Sequence, residues 1–125
     1  MLKITNLAKK ISIDKDKRQL FQNFNYELKS NKIAFLLGPS GSGKSVLFKC
    51  IVGLMMQDQG EVYLLGKNRE LWAIEEFRKA CAYVGQAPVR SEHTVAEFLQ
   101  RPYELSIRHG SMLDEARVKE LLNKM

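Results

Sequence analysis

The sequence predicts an α/β fold, on three observations. Apolar and polar residues alternate at the front of the chain, an uninterrupted apolar run Ile33-Ala34-Phe35-Leu36-Leu37 follows, and beyond Gly43 apolar residues recur at helical spacing. Alternation marks strands buried on one face, and a continuous apolar run marks a strand covered on both. With 125 residues and 45% hydrophobic content, the chain can build one core. A chain of this size buries roughly two-thirds of the surface its unfolded form exposes, so disorder is excluded and no disulfide or metal is required.

Each element has its own signal. Met1 to Leu7 alternates and reads as a strand, lacking the apolar h-region and small-residue cleavage site of a signal peptide. Leu20, Phe24, Tyr26 and Leu28 extend the pattern and predict antiparallel pairing, with Lys15-Asp16-Lys17-Arg18 between them as a solvated loop. Ile33 to Leu37, ending at Gly38, predicts a central strand. Leu47, Phe48, Ile51, Leu54 and Met55 predict a helix starting near Gly43, with Met55 and Met56 filling core space. A turn at Gln57-Asp58-Gln59-Gly60 precedes a strand from Glu61 to Leu65, and Gly66-Lys67-Asn68 is a second turn. Leu71, Ile74 and Phe77 suggest a short helix with Trp72 as packing, and Cys81 to Gly85 suggests the next buried strand.

From Glu92 the character is helical. Thr94-Val95-Ala96-Glu97 is a capping box, Pro102 is expected to break or kink the helix there, and a last helix from about Met112 carries Val118, Leu121, Leu122 and Met125 on one face. The longest apolar runs, Ile33 to Leu37 and Cys50 to Met56, fall far short of the roughly 20 residues of a membrane-spanning helix. Cys50 and Cys81 stand apart, with no CxxC pair or histidine cluster beside them, and read as reduced core thiols.

The net charge is +6 and lies at the front: residues 1 to 32 carry eight Lys/Arg against three Asp/Glu, the remainder twelve against eleven. Such a balance attracts nucleotide, anionic lipid or RNA without choosing among them. No interleaving of aromatic and basic residues supports base stacking along a nucleic acid, so none is expected as a partner.

The chemistry is carried by Gly38-Pro39-Ser40-Gly41-Ser42-Gly43-Lys44-Ser45, which satisfies GxxxxGKS/T between a buried run and an amphipathic helix. Glycines without side-chain bulk let backbone N–H groups converge on phosphate oxygens, and the helix N-terminus adds partial positive charge. Lys44 is suited to the β- and γ-phosphates and the Ser45 hydroxyl to Mg²⁺. The motif predicts a P-loop NTPase core in which Gly38 to Ser45, with Val46 behind them, line a phosphate site.

On these residues the chain resembles the nucleotide-binding domain of ABC transporters, whose phosphate loop is commonly written GPSGSGKST behind a small antiparallel sheet. Leu54 to Gly66 is similar to that family's hairpin, Tyr83-Val84-Gly85-Gln86 to the strand and glutamine of its Q-loop, and Thr94 to Met125 to the start of its helical subdomain. The resemblance implies ATP and Mg²⁺ as cofactors, with Lys44 and Gln86 in the catalytic machinery and Ser45 and Gln86 near the metal. It implies that Gln86 also reports nucleotide state to a membrane permease, through a contact loop running from Gln86 to Arg90. It further implies a second ATP-binding subunit in the intact protein and a cytoplasmic position, peripheral on the inner face of the membrane. Where the family places a base-stacking aromatic residue, this chain has Ile11, which implies weak discrimination between ATP and GTP unless Tyr26 or Phe21 does the stacking.

No residue matches the family's signature, its Walker B acidic pair, its D-loop or its switch histidine. His93 and His109 precede the place for the last, and no apolar strand leads into Glu92 or Glu97. The expected architecture is an ATP-binding core with an antiparallel β-subdomain over residues 1–91 and the start of a helical subdomain over residues 92–125. The expected function is MgATP binding, with hydrolysis only in the intact transport ATPase and none by these 125 residues alone. A soluble nucleotide-binding module acting on ribosome or DNA, or a remnant without turnover, is the alternative.

Overall fold

The computed structural model describes residues 1–13, 16–87, 92–104 and 113–124. They divide into two compact units, Met1–Val84 and Gly85–Met125.

In the first unit, β1 (Leu2–Ile13) and β2 (Asp16–Leu28) form a long antiparallel hairpin. β3 (Gln59–Leu64) adds to the other edge of β1, and the short β4 (Lys67–Asn68) completes an antiparallel sheet of order β2-β1-β3-β4. The alternation read from the sequence is broken by register shifts between Ile4 and Leu7, between Leu7 and Lys9, and between Lys9 and Lys10. Asn6 and Asn23 take positive φ, at 50° and 52°, a conformation short polar side chains tolerate. These breaks keep both Ile4 and Leu7 on the buried face although they are three residues apart.

Helix α1 (Lys44–Ile51) lies on that face. Leu47, Cys50 and Ile51 join Ile4, Leu7 and Val62 in one buried cluster, with Leu2, Phe21, Phe24, Leu36, Val46 and Met55 packed at its margin. Each fully buried aliphatic side chain contributes about 1.5–3 kcal/mol. Burial pushes the Cys50 thiol above its ordinary pKa, which leaves it a small apolar filler. A 3₁₀ turn (Arg69–Leu71) and α2 (Ile74–Ala80) follow β4. Arg69 donates to the Cys50 carbonyl and, at 2.7 Å, to Gln57 Oε1, tying the end of α1 to the turn before β3. Trp72 packs edge-on against Phe77 at 6.0 Å.

In the second unit, α3 (Val95–Glu104) and α4 (Glu115–Leu122) are the described elements. The capping box forms: Thr94 N–H donates to Glu97 Oε2 at 2.7 Å, and Glu97 N–H donates to Thr94 Oγ1 at 3.3 Å. The bonds Glu97 accepts from Thr94, the backbone one first, hold its carboxyl below its ordinary pKa.

Several expectations are corrected. Ile33 to Leu37 and Cys81 to Gly85 are not strands. In the first segment Leu36 meets the core while Ile33, Phe35 and Leu37 are 86%, 85% and 88% exposed. A central strand needs hydrogen-bonded neighbours on both edges, and no described residue pairs with either segment. Met56 is exposed rather than core filling. Lys17 and Arg18 belong to β2, not to a loop, because the hairpin stays paired to Ile13↔Asp16. Pro102 lies inside α3, which continues two residues past it, and α4 starts at Glu115, with the Asp114 side chain accepting from Arg117 N–H. Lys15, Pro88, Val89, Arg90, His109, Met112 and Met125 lie outside the described residues.

Asp58 clasps the sheet where β3 begins. Its carboxylate accepts from Lys9 Nζ at 2.8 Å and from Lys10 N–H at 2.6 Å, and its own N–H donates to the Ala8 carbonyl at 2.9 Å. The Lys9 bond, then the Lys10 bond, hold its pKa below the ordinary carboxylate value. Its contribution is therefore complete above the unfolded pKa and lost as pH falls through the lower folded one. Denaturation followed between about pH 5 and pH 2 should show Asp58→Asn less stable than the parent at the upper end. The two curves should converge at the lower end, and a constant gap would show that the carboxylate charge is not what matters.

Candidate phosphate site

The loop between Leu37 and α1 is shaped by backbone conformations that suit glycine. Gly41 and Gly43 take φ of 74° and 93°, in the left-handed region that costs other residues about 1–2 kcal/mol. Space is limiting at Gly43 alone of these two. A Cβ there would lie 3.2 Å from Leu20 Cβ, whereas a Cβ on Gly41 would meet nothing within 4 Å. The loop thus leans on β2 at Leu20.

Gly43 is the N-cap of α1 and offers no side-chain acceptor. The first intrahelical bond among the described residues runs from Leu47 N–H to the Gly43 carbonyl at 2.8 Å, so the N–H groups of Lys44, Ser45 and Val46 lack acceptors within the helix, as at every helix start. No acidic residue stands in the first turn. The result is a cluster of open donors at the positive end of a helix dipole.

Lys44 folds back over the loop. Its Nζ donates to the Gly38 carbonyl at 2.8 Å and the Pro39 carbonyl at 2.7 Å, with Ser42 Oγ at 3.5 Å. Ser42 N–H closes the turn onto the Pro39 carbonyl at 3.3 Å. Ser45 is exposed, and Val46 is half-buried at the edge of the core cluster. Gly38 to Val46 therefore stand together in the first unit as one loop and helix start. Gln86 is exposed at a bend in the second unit, with Ala87 beside it. His93, Glu92 and Glu97 are exposed at the start of α3.

Sequence reasoning missed the part played by Leu20, whose contact with the Gly43 position depends on a register break that alternation does not reveal. It also missed Arg69 and Asp58, which hold α1 and β1 in place around the loop. Among the described residues no helix is long and apolar enough to cross a membrane, and no group of three or more His, Cys, Asp or Glu side chains is placed to hold a metal ion.

Comparison with known proteins bears on the whole chain. Residues 21–125 match the family model described as ABC transporter. The chain is 29% identical over 112 residues to a hemin import ATP-binding protein of Plesiomonas shigelloides, covering 90% of this chain and 42% of that one. It is 42% identical over 72 residues to a sulfate/thiosulfate import ATP-binding protein of Mesostigma viride, covering 58% of this chain and 20% of that one. Among solved structures it is similar to the dimeric post-hydrolysis state of an ATP-binding cassette bound to ADP and Pi, at 26% identity and a TM-score of 0.75, over 98% of this chain and 55% of that one. The chain spans about half, or less, of the length of these relatives.

The loop geometry sets a stability test. Gly43→Ala should destabilise the chain by about 1–3 kcal/mol, from backbone strain plus the push against Leu20. Gly41→Ala should cost only the backbone part, about 1 kcal/mol. Equal losses in denaturant midpoints would remove the Leu20 contact from the account.

Proposed function

The chain belongs to the ABC transporter family, and from that premise we propose that it carries the MgATP-binding part of an ATP-driven transport subunit, with the triphosphate held by Gly38 to Val46. One observation carries the proposal: an uncapped helix N-terminus with no acidic residue in its first turn, overlaid by a lysine amine. Such a site is built for an anion with several oxygens. The donor set fits Mg²⁺ as well, since the Ser45 hydroxyl is exposed next to the loop. Mg²⁺, when bound, neutralises charge on the β- and γ-phosphates.

The residues divide the work by chemistry. Gly41 and Gly43 let the backbone turn close to the phosphates. Lys44 exchanges neutral carbonyl acceptors for anionic phosphate oxygens, which adds attraction between opposite charges to bonds its ammonium already charge-assists. Ser45 would hold the metal through its exposed hydroxyl. Resemblance to the family, on its Tyr83-Val84-Gly85-Gln86 segment, assigns Gln86 to the catalytic machinery, toward the metal or the attacking water, and to reporting nucleotide state. Phosphoryl transfer also needs an acid to orient the water, and we assign that role to none of these 125 residues. Relatives named as import ATP-binding proteins support a permease as partner and a place on the cytoplasmic face of the membrane, and the dimeric cassette supports pairing with a second ATP-binding subunit.

Titration with a fluorescent ATP analogue and Mg²⁺ is expected to show saturable binding that Lys44→Ala abolishes, with phosphate release no greater than in that variant. Equal affinity in both would remove the phosphate-site assignment. Release clearly above the Lys44→Ala background would place the missing acid within the chain.

The partner is tested at the loop after Gln86. A cysteine at the exposed Ala87 should crosslink to a cytoplasmic helix of the permease in membranes containing both. Crosslinks confined to ribosomal or nucleic-acid components would favour the soluble module, which the basic residues of the hairpin also suit.

A further inference from the structure

We infer that the outer face of the hairpin, turned away from the phosphate loop, carries an anion site of its own, in which Lys10 and Lys17 together hold a small soluble ligand bearing two linked phosphate groups. This site is separate from the phosphate loop and stands whether or not Gly38 to Val46 hold a triphosphate.

The register of the hairpin builds it. β1 and β2 pair Lys9 with Phe21 but Lys10 with Gln19, so Leu20 is the extra residue of a bulge. Directly opposed residues share a face of the sheet, and so do alternate residues along a strand. Phe21 packs against the core cluster that includes α1, so Lys9 and the pair Ile11↔Arg18 belong to the face on that side. The pairs Lys10↔Gln19 and Ser12↔Lys17 therefore stand on the other face. They are the corners of a rectangle with the two lysines on one diagonal, about 7–8 Å apart at the backbone.

These four side chains line a cavity of about 470 Å³, within the roughly 300–1,000 Å³ of small-ligand sites. Asp58 is the one carboxylate among the described lining residues, and both of its oxygens are taken. Oδ1 accepts from Lys9 Nζ at 2.8 Å and Oδ2 from Lys10 N–H at 2.6 Å. Lys9 thus cancels Asp58, while the ammonium groups of Lys10 and Lys17 form no ion pair among the described residues. Two positive charges are left over on one diagonal, where they repel each other. An anion between them turns that repulsion into attraction on both sides.

The remaining corners complete the recess. Gln19 is fixed in place, its Nε2 donating to the Lys9 carbonyl at 3.2 Å and the Phe21 carbonyl at 2.5 Å. The Ser12 hydroxyl is exposed and adjoins both lysine positions as a neutral donor. A single phosphate placed on one ammonium leaves the other unsatisfied across the diagonal. Two linked phosphates give each lysine its own charge-assisted bonds. Among the described residues no aromatic ring lines the cavity, so it offers a base nothing to stack on. Its donors line a recess rather than a flat face, which suits a small soluble anion over a membrane surface.

The test uses the whole chain carrying Lys44→Ala, which removes the phosphate-loop amine, and titrates inorganic pyrophosphate in metal-free buffer by calorimetry. Saturable binding is expected, with inorganic phosphate weaker by about tenfold or more. Adding Lys10→Ala or Lys17→Ala should each weaken pyrophosphate by about tenfold, the worth of one hydrogen bond to a charged group. Arg18→Ala removes the same charge from the opposite face and should leave the affinity within about twofold. All three residues are exposed, so unchanged thermal midpoints are expected. No binding of pyrophosphate, or an equal loss from Arg18→Ala, would overturn the inference. Capture by phosphatidylcholine vesicles containing phosphatidic acid, without pyrophosphate binding, would move the same chemistry to a lipid surface and overturn the small-ligand assignment. ATP-analogue binding unchanged by Lys44→Ala would sink the triphosphate reading alone, and the Lys10 and Lys17 losses would still decide this site.

Discussion

The seating of α1 on the sheet is the constraint on which the other features depend. Leu47, Cys50 and Ile51 cover Ile4, Leu7 and Val62, and that burial fixes the direction of the helix axis. Its N-terminus then has to emerge beside β2, at Leu20. The phosphate loop is short, so once its helix is placed the loop has little freedom left. Arg69 and Asp58 act on the same constraint from outside the core: one ties the far end of α1 to the Gln57 turn, the other fastens β1 to the start of β3. Gly60 adds a steric condition, since a Cβ there would lie 2.5 Å from the Asn6 and Thr5 backbone. The donors at the helix start are thus held by packing far from them, which is what a preorganised anion site requires.

The loop solves an electrostatic problem from within. A helix N-terminus with a lysine beside it concentrates positive charge, and the two would repel if the amine had no acceptors. Carbonyls of Gly38 and Pro39 supply them, so the ammonium is satisfied from within the loop. These bonds are to neutral oxygens. In the proposed reading a phosphate replaces neutral acceptors by anionic ones and so adds attraction between opposite charges, whereas a neutral ligand offers Lys44 no more than the carbonyls already do.

How much of this was legible in the sequence varied with the range of the interaction. Local signals were read correctly: the GxxxxGKS spacing with its helix, the Thr94–Glu97 cap, and the antiparallel character of β1 and β2. The helix spacing gave Leu47 and Ile51 on the inner face of α1, but it also gave Phe48 and Leu54, which are 43% and 60% exposed, and it missed Cys50. Interactions that depend on register were not legible. Three shifts in the hairpin decide which residues face α1, and their local marks, Asn6 and Asn23 at positive φ, look like ordinary polar positions in an alternating strand. Ile33 to Leu37 shows the opposite failure. Its composition suits a central strand, but strand structure is a property of a pair, and composition cannot supply the partner.

The bulge at Leu20 unites these points. A regular ladder from Lys9↔Phe21 would continue as Lys10↔Leu20 and Ile11↔Gln19, placing Gln19 on the loop side and turning Arg18 to the opposite face. One extra residue restores Arg18 to the loop-side face opposite Ile11 and frees Leu20 to meet Gly43. Bulges re-aim side chains next to functional sites at the expense of one ladder position. Here a single irregularity both positions the phosphate loop and selects which residues line the surface beyond it. The character of that surface, an aliphatic residue opposite a guanidinium, comes from the register of one hairpin and from two residue identities.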